Sequence, residues 1–151
     1  MRVDPRHTVE QVMAGLETDL LPGEHPVIAA TPKDPLGKAI DWFTRFDVHH
    51  LPVVDSIEHR VLMGIVSTVD VIAYLATHPD HEDARIADVM VRDPKTIAPS
   101  TTLAHATQLL GSATFRCLPV VDAEHRCVGI VTVRDLVKYF ADRIRTAQAR
   151  G

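Results

Sequence analysis

The apolar positions of this chain change period several times, and each change marks an element. Leu36, Ala39, Ile40 and Phe43 recur at helical spacing and predict a helix over 36–46. Leu103, Ala106, Leu109 and Leu110 draw the same stripe further along. Short apolar runs at 51–54 and 61–66, and again at 118–121 and 127–131, are bounded by polar turns and predict two buried hairpins. Further helices are predicted over 69–76 and from 134 to about 146, with short strands over 27–31 and 96–98. Each hairpin is thus preceded by a strand and a helix and followed by a second helix.

The two halves are copies of one unit. His49-His50-Leu51-Pro52-Val53-Val54-Asp55 returns as Arg116-Cys117-Leu118-Pro119-Val120-Val121-Asp122. Gly64-Ile65-Val66-Ser67-Thr68-Val69-Asp70 returns as Gly129-Ile130-Val131-Thr132-Val133-Arg134-Asp135. Ala30-Thr31-Pro32 matches Ile97-Ala98-Pro99, and a leading helix ending in Val12-Met13 matches one ending in Val89-Met90. This divides the chain into a first repeat over 1–76, a linker over 77–84, a second repeat over 85–146 and a tail over 147–151. The first repeat carries an insertion at about 15–25, where Leu16, Leu20 and Leu21 predict an extra short helix ending at Pro22-Gly23. The fold class is α/β (α+β): two β-α-β-β-α units. A three-stranded sheet with helices on one face leaves apolar surface over, so the sheets are expected to pack on each other with pseudo-two-fold symmetry.

Composition narrows the function. At 151 residues, 46% hydrophobic and 24% charged, the chain reads as a globular protein with a core of its own. Apolar runs of about six residues are far too short to span a bilayer, and the opening MRVDPRHTVE has no apolar signal segment. A cytoplasmic protein is expected, with no membrane contact. A net charge of −4, mixed along the chain, argues against a nucleic-acid surface. The basic cluster Arg143, Arg145 and Arg150 reads as a solvated helix end. Cys117 and Cys127 fall on neighbouring strands, with Cys127 expected opposite Val120 and Cys117 too far along for a disulfide. His7, His25, His59, His78, His81, His105 and His125 are scattered, and no metal site is expected.

Ser67-Thr68-Val69-Asp70 and Thr132-Val133-Arg134-Asp135 stand where a strand hands over to a helix. The plain reading is a capping box with Asp in place of Glu. The same geometry also suits a ligand. A helix start favours a phosphate, and a fixed carboxylate can accept from both hydroxyls of a ribose. Arg134 adds a forked cation suited to phosphate oxygens. One Asp can do both.

Taken together, a helix ending in Val-Met, a strand closed by Pro, Leu-Pro-Val-Val-Asp and Gly-Ile-Val-Ser/Thr-x-x-Asp resemble the cystathionine β-synthase (CBS) domain, twice, from about Thr8 to Arg143. The resemblance implies a stand-alone CBS pair that binds an adenine nucleotide or adenosyl compound between the repeats, such as AMP, ADP, ATP or S-adenosylmethionine. It also implies a homodimer and an effector protein that reads the ligand state. Sites assembled across the repeats would combine Thr132, Arg134 and Asp135 with Thr31, His49, His50 and Leu51. A second possible site would combine Ser67, Thr68 and Asp70 with Ala98, Arg116, Cys117 and Leu118. His49 and His50 are adjacent on a strand, so only one is expected to face a given ligand.

Two rivals remain. A catalytic role finds no nucleophile turn, phosphate loop or paired acids, so an enzyme is not expected and no cofactor is required. A dimerisation or protein-interaction module without a small molecule would keep every structural motif above.

Overall fold

A computed structural model describes residues 3–15 and 28–150. The predicted insertion helix and Val27, the first residue of the strand expected over 27–31, lie outside the described residues; of 28–31 only Ala30 makes a strand bridge.

The four main helices form where the stripes predict them: α1 (Leu36–Arg45), α2 (Thr68–Thr77), α3 (Leu103–Gly111) and α4 (Val133–Arg150). Leu36, Ala39 and Phe43 are the buried positions of α1, and Leu103, Ala106 and Leu110 those of α3. The last helix runs past the expected end near Thr146. The leading helices are shorter than expected, a single 3-10 turn each, Val9–Gln11 and Ile86–Asp88.

The strands are β1 (Ala14–Gly15), β2 (His50–Val54), β3 (Leu62–Ser67), β4 (Val91–Arg92), β5 (Cys117–Val121) and β6 (Cys127–Thr132). They form two antiparallel sheets, ordered β1-β6-β5 and β2-β3-β4. Ala30 joins Val53, and Ile97 joins Val120, through isolated parallel bridges. Both hairpins carry a bulge before their last pair, so Cys127 stands opposite Val121 and not Val120. Both thiols are free and buried.

The edge strand of each sheet comes from the leading segment of the other sequence repeat. Val9 is fully buried among Leu103, Leu118 and Val131, while Ile86 is fully buried among Leu36, Leu51 and Val66. Burial on this scale is worth about 1.5–3 kcal/mol per side chain. The exchange also caps helices. The first amide of α1 donates to the Ala84 carbonyl at 2.9 Å, and that of α3 to the equivalent His7 carbonyl at 2.9 Å. The Ala84 carbonyl makes up for the side-chain cap that Pro35 cannot give α1, whereas α3 is also capped by the Thr102 hydroxyl.

The sheets meet at their hairpin ends. The Leu62 amide donates to the His125 carbonyl at 3.0 Å, and the Cys127 amide to the Arg60 carbonyl at 2.8 Å. Leu62 and Cys127 are equivalent in the repeat, as are Arg60 and His125, so the two bonds exchange under the pseudo-two-fold axis. Ala29, Val54, Leu62, Val121 and Cys127 form a small core around them.

Candidate functional site

Strand alternation decides what faces the space between the sheets. Leu51 and Val53 point into the core under α1, and Leu118 and Val120 into the core under α3. Their neighbours His50, Pro52, Cys117 and Pro119 therefore face inward, toward the other sheet. His50 pairs with Ser67 across its hairpin, and Cys117 with Thr132 across the other. Both hydroxyl residues thus share this inner face. Ile65 packs against Cys117 and Ile130 from the opposite sheet and forms an apolar contact between the two halves.

At the ends of β3 and β6 the two Ser/Thr-x-x-Asp turns form caps, each in its own way. In the first, the Ser67 amide donates to Asp70 Oδ2 at 3.0 Å, and the Asp70 amide donates to Ser67 Oγ at 3.1 Å. In the second, Asp135 Oδ2 accepts from the Thr132 amide at 2.7 Å and from the Thr132 hydroxyl at 3.1 Å. Among the described residues no hydrogen bond engages Oδ1 of Asp70 or of Asp135. Each carboxylate is half-buried and fixed through one oxygen.

His50 lies on the seam between the halves. Burial pushes its imidazole below the ordinary value, His49 and Arg116 push the same way, and Asp70 opposes them. Arg116 belongs to the second repeat, so the His50 end of one sheet stands within electrostatic reach of the Arg116 end of the other. Burial raises the Cys117 thiol, with a further push from Asp135. Cys127 is pushed up to about 11, chiefly by burial. Both thiols are protonated at neutral pH and poor nucleophiles.

The structure gathers some of the candidate residues and separates others. His49, His50, Ser67, Thr68 and Asp70 meet at one end of the first sheet, where the Thr68 amide donates to the His49 carbonyl at 3.0 Å. Arg116, Cys117, Thr132 and Asp135 meet at the matching end of the second. Arg134 is exposed on the first turn of α4. Of the adjacent histidines, His49 is exposed and His50 faces inward. Leu51 and Leu118 are core residues, 1% and 0% exposed.

Thr31 and Ala98 correct the expectation. The bridges Ala30–Val53 and Ile97–Val120 are parallel, so Thr31 runs beside Val54 and Ala98 beside Val121. Each stands about 13 Å along the strand from His50 or Cys117. The parallel sense brings the Ile28 side of that strand, and not Thr31, to the His50 end. Thr31 instead belongs to a turn in which its amide donates to Asp34 Oδ2 at 2.9 Å.

Sequence reasoning missed a groove of about 1200 Å³ running from Asp135 along α4. Met13, His7, Lys138, Tyr139 and Arg143 are among its lining residues. The helical spacing of 135, 138, 139 and 143 carries that signal, but it marks only one helix face and does not show that the leading segment with His7 and Met13 lies across it. Among the described residues, no group of three His, Cys, Asp or Glu is placed to share a metal ion. No helix there is long and apolar enough to cross a membrane.

A repeated unit whose edge strands cross over between two sheets defines a tandem-repeat fold. Residues 18–77 and 86–142 each match the CBS domain model, and the chain belongs to that family. It is 27% identical to CBSX2 of Arabidopsis thaliana in complex with AMP, with a TM-score of 0.74 over 92% of this chain and 98% of that one. It is 25% identical to the CBS domain pair of MJ0100 in complex with 5-methylthioadenosine and S-adenosyl-L-methionine, with a TM-score of 0.70 over 92% and 99%. Inosine-5'-monophosphate dehydrogenase of Methanocaldococcus jannaschii is 32% identical over 74% of this chain, which spans 21% of that enzyme.

Proposed function

We propose that the chain is a regulatory CBS pair that binds an adenine nucleotide or adenosyl compound between its repeats and passes the ligand state to a partner protein. The observation that carries this reading is the pair of half-buried carboxylates, Asp70 and Asp135. Each is pinned through Oδ2 and has no hydrogen bond on Oδ1 among the described residues. A carboxylate held this way accepts from a ribose diol without first losing side-chain entropy. Asp135, with Thr132 and Arg134, works with His49 and His50 of the other repeat. Asp70, with Ser67 and Thr68, works with Arg116 and Cys117. Arg116 and Arg134 supply charge for a first phosphate. The AMP, 5-methylthioadenosine and S-adenosyl-L-methionine named for CBSX2 and MJ0100 support an adenosyl ligand. The dehydrogenase's activity is not carried over, because the chain spans only about a fifth of that enzyme.

A homodimer fits the same reading. Val69 and Ile72 on α2 are 71% and 67% exposed, and Val133 and Val137 on α4 are 46% and 61% exposed. Ile72 and Val137 are equivalent in the repeat, so each of these two helices presents an exposed apolar patch around the same position, which invites a second copy.

Calorimetric titration with AMP, ADP, ATP and S-adenosylmethionine tests the proposal. Heat is expected with at least one of them, and Asp135→Ala is expected to weaken it by about tenfold or more. Loss in Asp70→Ala alone would move the site to the first repeat's carboxylate. No heat with any of the four would favour a dimerisation module without a small molecule.

A further inference from the structure

The groove beside Asp135 continues past the ribose-holding carboxylate. It follows one face of α4, where Lys138, Tyr139 and Arg143 succeed Asp135 at intervals of three and four residues. Arg143 stands eight residues beyond Asp135, about 12 Å along the helix axis. Its guanidinium carbon lies 5.4 Å from the centre of the Tyr139 ring. Tyr139 is itself held by a 2.6 Å hydrogen bond between its hydroxyl and His7 Nδ1. The guanidinium is therefore positioned, not merely solvated, which departs from the reading of this residue as part of a solvated helix end.

The charges along the groove are unevenly paired. Arg6 is bound to Asp4 at 2.8 Å, and Asp142 is engaged by Arg145 at 3.2 Å. Lys138 and Arg143 have no salt-bridge partner among the described residues. Arg143 Nε is buried and makes no hydrogen bond. A buried N–H of a cation without an acceptor costs about 1–3 kcal/mol or more, so the guanidinium is short of acceptors, and it is the part of Arg143 that lines the groove that can meet an anion.

We propose that this groove makes the Asp135 site selective for adenine nucleotides carrying more than one phosphate, with Lys138 and Arg143 holding the phosphates beyond the first. The proposal rests on the nucleotide reading above. The base enters the crevice between the sheets, the ribose diol meets Asp135 Oδ1, and the polyphosphate runs outward along α4. Asp142, also on the groove wall, opposes the same charge. S-adenosylmethionine, with a cationic sulfonium, gains nothing from the two cations.

The test is titration of the full chain with AMP, ATP and S-adenosylmethionine, without divalent cations, against wild type, Lys138→Gln, Arg143→Gln and Asp142→Asn. Wild type is expected to bind ATP about tenfold or more tighter than AMP, as one charge-assisted contact provides. Lys138→Gln and Arg143→Gln should each shrink that ratio while leaving AMP affinity unchanged, and Asp142→Asn should enlarge it. Lys138 is exposed, so its variant reads the groove even if Arg143→Gln disturbs folding. Equal binding of AMP and ATP by wild type overturns the proposal and leaves the nucleotide reading standing. So does an ATP:AMP ratio that ignores Lys138→Gln. Binding of neither nucleotide overturns both.

Discussion

At the scale of single residues, backbone geometry makes demands that the side-chain pattern does not announce. Gly64 lies where β4 crosses β3, and a Cβ there would stand 2.5 Å from the Val91 carbonyl oxygen. Backbone cannot yield as a side-chain tip does, so Gly64→Ala is expected to cost about 1–3 kcal/mol in urea unfolding. Ala113 presents the opposite case. It holds φ 64° just beyond the end of α3, a conformation that glycine adopts without strain. Ala113→Gly should therefore stabilise by about 1 kcal/mol. His50 adds a pH dependence. Its folded pKa is depressed, so the unfolded chain binds the proton more readily below the ordinary value near 6.5. Stability contributed by neutral His50 is complete well above that value and declines as pH falls through it toward the depressed folded pKa. Thermal melts from pH 7.5 to 5 should show this decline, and His50→Asn should flatten it. A decline of equal steepness in the variant would locate the proton uptake elsewhere.

At the scale of elements, the four helices and the two hairpins were legible because each carries a stripe or an apolar run of the right period. The strand–helix caps were legible too, since Ser/Thr-x-x-Asp contains both halves of the bond pattern. What escaped was partnership. Nothing in Ala30-Thr31 says that this strand runs parallel to Leu51–Val54, which sets Thr31 beside Val54 and away from His50. Nothing in the leading segments says that each is too short for a helix and makes one 3-10 turn. The caps carry a consequence for any binding experiment, because Asp70 and Asp135 close their helices whatever else they hold. Asp70→Ala should lower stability by about 0.5–2 kcal/mol whether or not a ligand binds there. Ser67→Ala removes the acceptor of the Asp70 amide but keeps the carboxylate, and should lower stability with much less effect on affinity. A binding loss equal in the two variants would mean that the helix start itself, and not the carboxylate, carries the recognition.

At the scale of the whole molecule, the exchange of leading segments makes the two repeats interdependent. Val9 precedes the first repeat's own strands in sequence, yet it completes the core around Leu103 and Leu118, while Ile86 completes the core around Leu36 and Leu51. Sequence similarity shows that two units are alike, but it does not show which segment covers which core. A ligand between halves built this way can act on both at once, provided that its affinity differs between their arrangements. The single tryptophan, Trp42, packs against the first core and reports on it alone. Val9→Ala removes two methyl groups from the second core and is expected to cost about 1–3 kcal/mol. If the halves unfold as one body, the Trp42 fluorescence midpoint in urea should fall by the same amount as the midpoint from circular dichroism, although Val9 lies in the other core. A Trp42 midpoint that stays in place while the dichroism splits into two transitions would show that the crossed segments do not couple the halves. Coupling between them would then have to come from the ligand.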